Sequence, residues 1–270
     1  MNRVIVAGAG GRMGQRIVQM VQRQEGLELV AAFEHPDSSL LGEDVGMISG
    51  IGTTGVLIEP GLESVVEKGD VVIDFTFHDA TMEFAEIAAQ HKRAMVIGTT
   101  GLTQDQLHRL KELADSNFPC VHSPNMAVGV NVLFKLVEKA AAVLGDAYDV
   151  EIVEAHHRMK KDAPSGTALK LGEMAAGALG RDLNTVGVME RNGIIGERTA
   201  QEIGIQTIRG GDIVGEHTVY FAGAGERIEI SHRATNRDNF ARGAALAAAW
   251  IVGKDNGMYT MFDVLDLVTF

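Results

Sequence analysis

Between positions 154 and 168 the chain reads Glu-Ala-His-His-Arg-Met-Lys-Lys-Asp-Ala-Pro-Ser-Gly-Thr-Ala, its densest cluster of titratable side chains. A strand ending in two histidines, a cationic loop and a helix starting at Ser165-Gly166-Thr167 make a place for a carboxylate. Lys160 and a histidine supply charge there, and the N–H groups of Gly166 and Thr167 at the helix N-terminus supply donors. Histidine is the side chain most easily tuned as an acid near neutral pH, and a lysine among other cations gives up its proton more readily. Either a histidine of the 156–157 pair or Lys160 is therefore a candidate proton donor. A metal centre is the weaker reading of His156-His157, because adjacent strand residues point to opposite faces and no third ligand follows at helical spacing. Lys161 reads as solvated loop, and Ser165 is also explained as a helix cap.

A second group lies at the start, where an apolar run enters Gly8-Ala9-Gly10-Gly11-Arg12-Met13-Gly14. One glycine allows a tight turn, another lets the backbone approach a pyrophosphate, and the last permits close packing of helix on strand. The helix N-terminus then offers N–H groups and a positive dipole end to the phosphates. Glu34 follows 34 − 14 = 20 residues after Gly14, at the end of a second strand, where an acid bonds the adenosine ribose hydroxyls. These features predict a nicotinamide dinucleotide site. A carboxylate at 34 favours an unphosphorylated ribose, whereas Arg12 suits a 2′-phosphate and His35 helps only when protonated. NADH is expected to serve at least as well as NADPH. Gly98-Thr99-Thr100-Gly101 and Ser123-Pro124-Asn125-Met126 follow two later strands, at the carboxyl ends where open α/β sheets bind ligands.

The elements that must position these groups are legible in the hydrophobic pattern. Strands are expected at 4–7, 27–33, 71–75, 94–97 and 120–122, alternating with helices at 12–22, 80–90 and 103–116 capped by Thr103. The all-apolar run near 71–75 suits a central parallel strand covered on both faces. This predicts an α/β chain with an N-terminal Rossmann-type doubly wound parallel sheet. Beyond Asn125 the rhythm changes: helix at 130–144, strand at 149–155, helix at 166–179, then β-type runs at 203–208, 217–221 and 227–231. Their one-sided alternation predicts a second α+β domain on a mixed or antiparallel sheet with one face free. The expected division is a dinucleotide-binding domain over 1–126 and a substrate-binding and oligomerisation domain over 127–235. A helical C-terminal segment, 236–270, with its helix at 236–254, is expected to return to the first domain.

Composition narrows the function classes. With 24 basic and 36 acidic residues the net charge is −12, which disfavours nucleic acid as a partner but not a small anion that feels local charge. Cys120 is the only cysteine, so no intrachain disulfide forms. No apolar stretch reaches the about 18–20 residues of a membrane span. The N-terminus enters a strand without an export signal, and a cytoplasmic location is expected.

Together, GAGGRMG, GTTG at 98–101, Asn125 with GVN at 129–131, EAHHRMKKDAPSGTA at 154–168 and GDIVGEHTVYF at 211–221 resemble the 4-hydroxy-tetrahydrodipicolinate (dihydrodipicolinate) reductase family of diaminopimelate and lysine biosynthesis. The resemblance runs almost end to end, and 154–168 is its most specific part. It implies NAD(P)H-dependent reduction of a cyclic dicarboxylate by a homotetramer whose C-terminal domain supplies the substrate site and a sheet-mediated interface. Position by position, His156 matches the family's catalytic histidine and Lys160 its proton donor, while His157, Gly166 and Thr167 match residues that hold the substrate carboxylates. Gly8, Ala9, Gly10, Gly11, Arg12, Met13, Glu34, Gly98, Thr99, Thr100, Ser123, Pro124, Asn125 and Met126 match cofactor positions. Some members carry an arginine after the equivalent of Glu34, where this chain has His35, which weakens NADPH preference. Pro124 and Met126 also depart from the family pattern, so backbone contacts are expected from them. Two other readings remain: a nicotinamide reductase or dehydrogenase of a different small substrate, and a redox-sensing Rossmann protein with an apolar docking patch. Binding of pyridine-2,6-dicarboxylate separates both from the main reading.

Overall fold

The structure is a computed structural model and describes residues 1–269. In chain order the elements are β1 (Asn2–Ala7), α1 (Arg12–Arg23), β2 (Leu27–Glu34), α2 (Val45–Ile48), β3 (Ile58–Pro60), β4 (Val71–Asp74), α3 (His78–His91), β5 (Ala94–Ile97), α4 (Gln104–Asn117) and β6 (Pro119–His122). Next come α5 (Val128–Leu144), β7 (Asp149–His156), α6 (Gly166–Ala178), α7 (Leu183–Val186), β8 (Gly187–Val188), β9 (Ile203–Arg209), β10 (Gly215–Ala222) and β11 (Arg227–Ala234). The chain closes with α8 (Asp238–Ile251), β12 (Gly257–Tyr259) and α9 (Met261–Val264). Contacts divide it into two units, Met1–Val128 with Arg237–Thr269, and Gly129–Asn236. Among the described residues no helix is long and apolar enough to cross a membrane.

The first unit is a seven-stranded parallel sheet in the order β12-β6-β5-β4-β1-β2-β3. Alternation along each strand sends successive side chains to opposite faces. Val4, Val6, Val71, Ile73, Val96 and Val121 therefore meet α1 and α8 on one side. Ile5, Ala7, Val72, Met95, Ile97 and Cys120 meet α3 and α4 on the other. Burial on both faces explains why these strands read as continuous apolar runs. The alanine-rich α8 buries Ala241, Ala244, Ala245, Ala247 and Ala248, small side chains that let the helix lie close on the sheet.

Two strands of this sheet carry no clear sequence signal. β3 and β12 are three residues each, at opposite edges, and owe their extended form to one neighbour rather than to a hydrophobic pattern. The C-terminal segment expected as helical is not one helix. It stops at Ile251, with Val252 extended and Gly253 at φ 86°, then gives β12 and α9; residue 270 lies outside the described residues.

The start of α4 follows the sequence closely. Thr103 accepts from the Gln106 N–H while Gln106 Oε1 accepts from the Thr103 N–H, a reciprocal capping box. Thr103→Ala is expected to cost about 1 kcal/mol of unfolding free energy, read from the midpoint of urea denaturation at unchanged slope; an unshifted midpoint would refute the cap's contribution.

The second unit holds a five-stranded mixed sheet, β11-β10-β7-β9-β8. β10 runs antiparallel to β11 and β7, while β9 runs parallel to β7 and β8. Along β10, Gly215, His217, Val219 and Phe221 are buried and the residues between them half-buried. α6 packs on the sheet through buried Leu171, Ala175 and Ala176.

Candidate active site

In the first unit the loops after β1, β4, β5 and β6 gather at the carboxyl edge of the sheet, where β1 has β2 on one side and β4 on the other. That reversal of strand order is where open α/β sheets bind ligands. Gly8 adopts φ 58°, and a Cβ there would stand 2.8 Å from Thr76 Cγ2. At Gly14 a Cβ would overlap the Gly8 carbonyl oxygen and stand 2.7 Å from Ala9 Cα. The Ala9 N–H donates to Phe33 O at 3.2 Å, and Gln15 Nε2 donates to Gly10 O at 2.8 Å. Gly11 is the N-cap of α1, and among the described residues no side chain caps that end. Arg12 is exposed on the first turn, and Met13 packs against the core. This cradle, with its uncapped helix end, fits a dinucleotide pyrophosphate.

Glu34 closes over the loop: Oε1 accepts from Gly10 N–H at 2.9 Å and Oε2 from His35 N–H at 3.2 Å. His35 is exposed, and its Nδ1 accepts from the Asp37 N–H at 3.2 Å.

The later loops are tied together by groups the sequence reading passed over. Asp74, fully buried at the end of β4, accepts from Thr76 N–H at 2.9 Å, Thr76 Oγ1 at 2.6 Å and Thr81 Oγ1 at 2.5 Å. Burial raises its pKa against these hydrogen bonds, which lower it. The Thr76 N–H also donates to Thr99 Oγ1 at 3.1 Å, which ties the post-β4 loop to the post-β5 loop. An acid closing an otherwise apolar strand, VVIDF, was the available signal. Gly98 packs against the Phe75 ring with no room for a Cβ, Thr99 is buried and Thr100 exposed. Ser123 Oγ donates to Asn125 O at 3.1 Å, and Asn125 Oδ1 accepts from Ala127 N–H at 2.9 Å. Pro124 is exposed. Met126 is 1% exposed with its side chain in the core, and its carbonyl lies against Gly243 of α8.

In the second unit the cluster around 154–167 is organised by sheet register. Glu154 and His156, two apart on β7, share the inner face. β9 sets Thr207 beside Glu154 and Arg209 beside His156, and β10 sets His217 beside Glu154. His232 on β11 stands opposite His217. Glu154 is fully buried, and Oε2 accepts from His156 Nδ1 at 2.6 Å and Arg209 Nη1 at 2.8 Å. Its Oε1 accepts from Ser165 N–H at 3.0 Å, Arg209 Nη2 at 2.9 Å and Thr207 Oγ1 at 3.2 Å. Burial pushes the carboxyl's pKa up, but the bonds from His156, Arg209 and Ser165 outweigh it and bring it down to about 2. Gly215 leaves room for the His156 ring: a Cβ there would stand 3.1 Å from Nε2.

The loop after β7 is held as well. Arg209 Nη2 donates to Asp162 O at 2.6 Å, and Lys160 Nζ pairs with Asp162 Oδ2 at 2.9 Å. Arg158, Met159 and Lys161 are exposed, and His157 is half-buried just past the strand end. Ser165 is more than a cap. Its Oγ accepts from Ala168 N–H at 3.2 Å and meets His217 Nε2 at 3.2 Å, while Gly166 and Thr167 occupy the first two helical positions. The loop thus sets the predicted residues His156, Lys160, Gly166 and Thr167 on one strand-loop-helix unit. It adds Glu154, Arg209 and His217, of which the last two lie too far along the chain for motif spacing to show.

His217 is 4% exposed; burial first, then the nearby charge of His156, lowers its pKa to about 3. An unfolded histidine takes its proton near pH 6.5, so between about 6.5 and 3 the unfolded state binds more protons and stability falls as pH falls. His217→Gln is expected to lose less melting temperature than the parent between pH 6.5 and 4.5, where Glu154 still contributes nearly in full. Parallel melting curves for the two proteins would refute this.

Known proteins resemble the chain over nearly its whole length. Residues 2–126 match the family described as dihydrodipicolinate reductase, N-terminus, and 129–265 match dihydrodipicolinate reductase, C-terminus. A 4-hydroxy-tetrahydrodipicolinate reductase of Desulfotalea psychrophila is 66% identical over 267 residues, covering 99% of each chain. The protein of that name in Syntrophus aciditrophicus is 53% identical, with 98% of each chain covered. A dipicolinate-bound dihydrodipicolinate reductase from Paenisporosarcina sp. TG-14 superposes with TM-score 0.75 at 28% identity, covering 97% of this chain and 98% of that one. An amine dehydrogenase from Mycobacterium smegmatis, at TM-score 0.62 and 13% identity over 96% of this chain and 95% of its own, shares the fold.

Proposed function

The chain belongs to the dihydrodipicolinate reductase family, and from that we infer that it reduces 4-hydroxy-tetrahydrodipicolinate, by way of dihydrodipicolinate, to tetrahydrodipicolinate in diaminopimelate and lysine biosynthesis. The observation that carries this is the 66% identity, over 99% of both chains, to a protein of that name. When bound, a reduced nicotinamide dinucleotide supplies the hydride. Gly8 to Met13 hold its pyrophosphate, Glu34 the adenosine ribose, and Gly98 to Thr100 with Ser123 to Met126 the nicotinamide end. His157, Gly166 and Thr167 hold the substrate carboxylates through side-chain charge and helix N–H groups. His156 or Lys160 delivers the proton that balances the hydride, and fixed charge with positioning supplies most of the rate.

NADH serves at least as well as NADPH. Glu34 favours an unphosphorylated ribose, and Asp37, whose N–H donates to His35 Nδ1, adds a second carboxylate to the same loop. The enzyme is cytoplasmic, consistent with its one buried thiol, Cys120. It assembles as a homotetramer through the second sheet, where Ile208 and Ile228 are half to two-fifths exposed. The test is loss of reduced-nicotinamide absorbance with substrate made in situ from pyruvate and aspartate semialdehyde, NADH and NADPH in parallel. Oxidation that requires the condensation product supports the assignment; none, from protein shown to bind NADH, overturns it.

A further inference from the structure

We propose that Glu154, kept ionised by Arg209, is the positioning residue that fixes His156 with its proton on Nδ1 and leaves Nε2 as the atom that gives up the proton. This rests on the reading of His156 as an acid. A carboxylate that accepts five hydrogen bonds while fully buried is an acceptor only, so the 2.6 Å contact requires a donor at His156 Nδ1. Arg209 supplies two of the five and reaches past the carboxylate to Asp162 O at 2.6 Å, on the loop that carries Lys160. The Ser165 N–H, at the start of α6, supplies another. One carboxylate therefore ties the histidine, the lysine-bearing loop and the helix N-terminus to the same point.

The ring has little freedom otherwise. His217 meets it edge-on with centroids 5.2 Å apart and planes at 73°, and Gly215 withholds a side chain beside Nε2. The titratable and charged groups around His156 are Glu154 on its own strand, Arg209 on β9, His217 on β10 with His232 beyond it on β11, and Lys160 and Asp162 on the loop. Among these, Glu154 is the one that touches Nδ1. A negative charge at Nδ1 stabilises the imidazolium, and its fixed position selects the tautomer left after the proton has gone.

The test uses three variants in the full-length protein: Glu154→Gln, the double variant Glu154→Gln with Arg209→Met, and His156→Asn. Two readouts are taken, the pH profile of kcat/KM and the 15N shifts of His156 in ligand-free protein. Glu154→Gln is expected to lower kcat/KM at pH 8 at least tenfold and to move the alkaline limb about one unit or more to lower pH, with NADH binding unchanged. The 15N signals are expected to lose the Nδ1-protonated pattern. The double variant removes the arginine charge that the glutamine strands, so it gives the same readings should the single variant fail to fold. An unmoved limb together with an unchanged tautomer overturns the proposal. Parental turnover in His156→Asn would instead overturn the reading of His156, while the 15N arm still decides whether Glu154 sets its tautomer.

Discussion

Asparagine at position 156 is expected to lower kcat by between about 10² and 10⁴, the range that a positioned acid or base contributes, with NADH binding unchanged. Asparagine suits the test because its Nδ2 stands where the imidazole Nδ1 does and still donates to Glu154, now 2.6 Å from that nitrogen. The buried carboxylate keeps a partner, and the sheet register around it is not disturbed. What is lost is Nε2, the atom beside Gly215. Steady-state rates with saturating NADH, alongside a fluorescence titration of NADH, separate the proton role from any cofactor effect. A variant within threefold of the parent would remove His156 from the chemistry and leave Lys160 as the donor.

Alanine at position 14 is expected to weaken NADH binding at least tenfold, about 1.4 kcal/mol or more. Its added methyl would overlap the Gly8 carbonyl oxygen and sit 2.7 Å from Ala9 Cα. Both neighbours are backbone, so no rotamer change relieves the overlap. The turn from β1 into α1 must open instead. That moves the Gly10 N–H off Glu34, now 2.9 Å away, and shifts the helix end proposed to meet the phosphates. The strain also costs about 1–3 kcal/mol of stability, as overpacked sites do. Calorimetric titration with NADH below the melting temperature reads the binding loss; parental affinity would refute the cradle. Activity at saturating cofactor would return in part, because position 14 holds none of the proton-transfer groups.

Much of both sites was written locally. The turn Gly8–Gly14 announces itself because a tight turn, a close phosphate approach and helix-on-strand packing each forbid a Cβ, and these demands fall within seven residues. The loop after β7 is equally local: a strand end, a run of cations and a Ser-Gly-Thr helix start occupy one stretch. The parallel sheet was legible for the same reason, since burial on both faces forces runs such as Val71–Ile73 and Ala94–Ile97 to be apolar throughout.

The rest depended on partners distant in the chain. Asp74 looks like a misplaced acid in an apolar strand until Thr76, Thr81 and Thr99 surround it. The strands β3 and β12 have three residues each, too few for a periodic signal, and become extended because a neighbour's edge offers hydrogen bonds. Arg209 and His217 lie more than fifty residues from Glu154, in strands whose own patterns say only that they are strands. The sequence by itself determined most of the longer strands and helices and marked two loops as candidates for cofactor and anion chemistry, because steric and periodic constraints act between near neighbours. Only the tertiary structure decided that Glu154 and His156 face Arg209, Thr207 and His217, because strand pairing and register, rather than local propensity, choose which side chains stand side by side across a sheet.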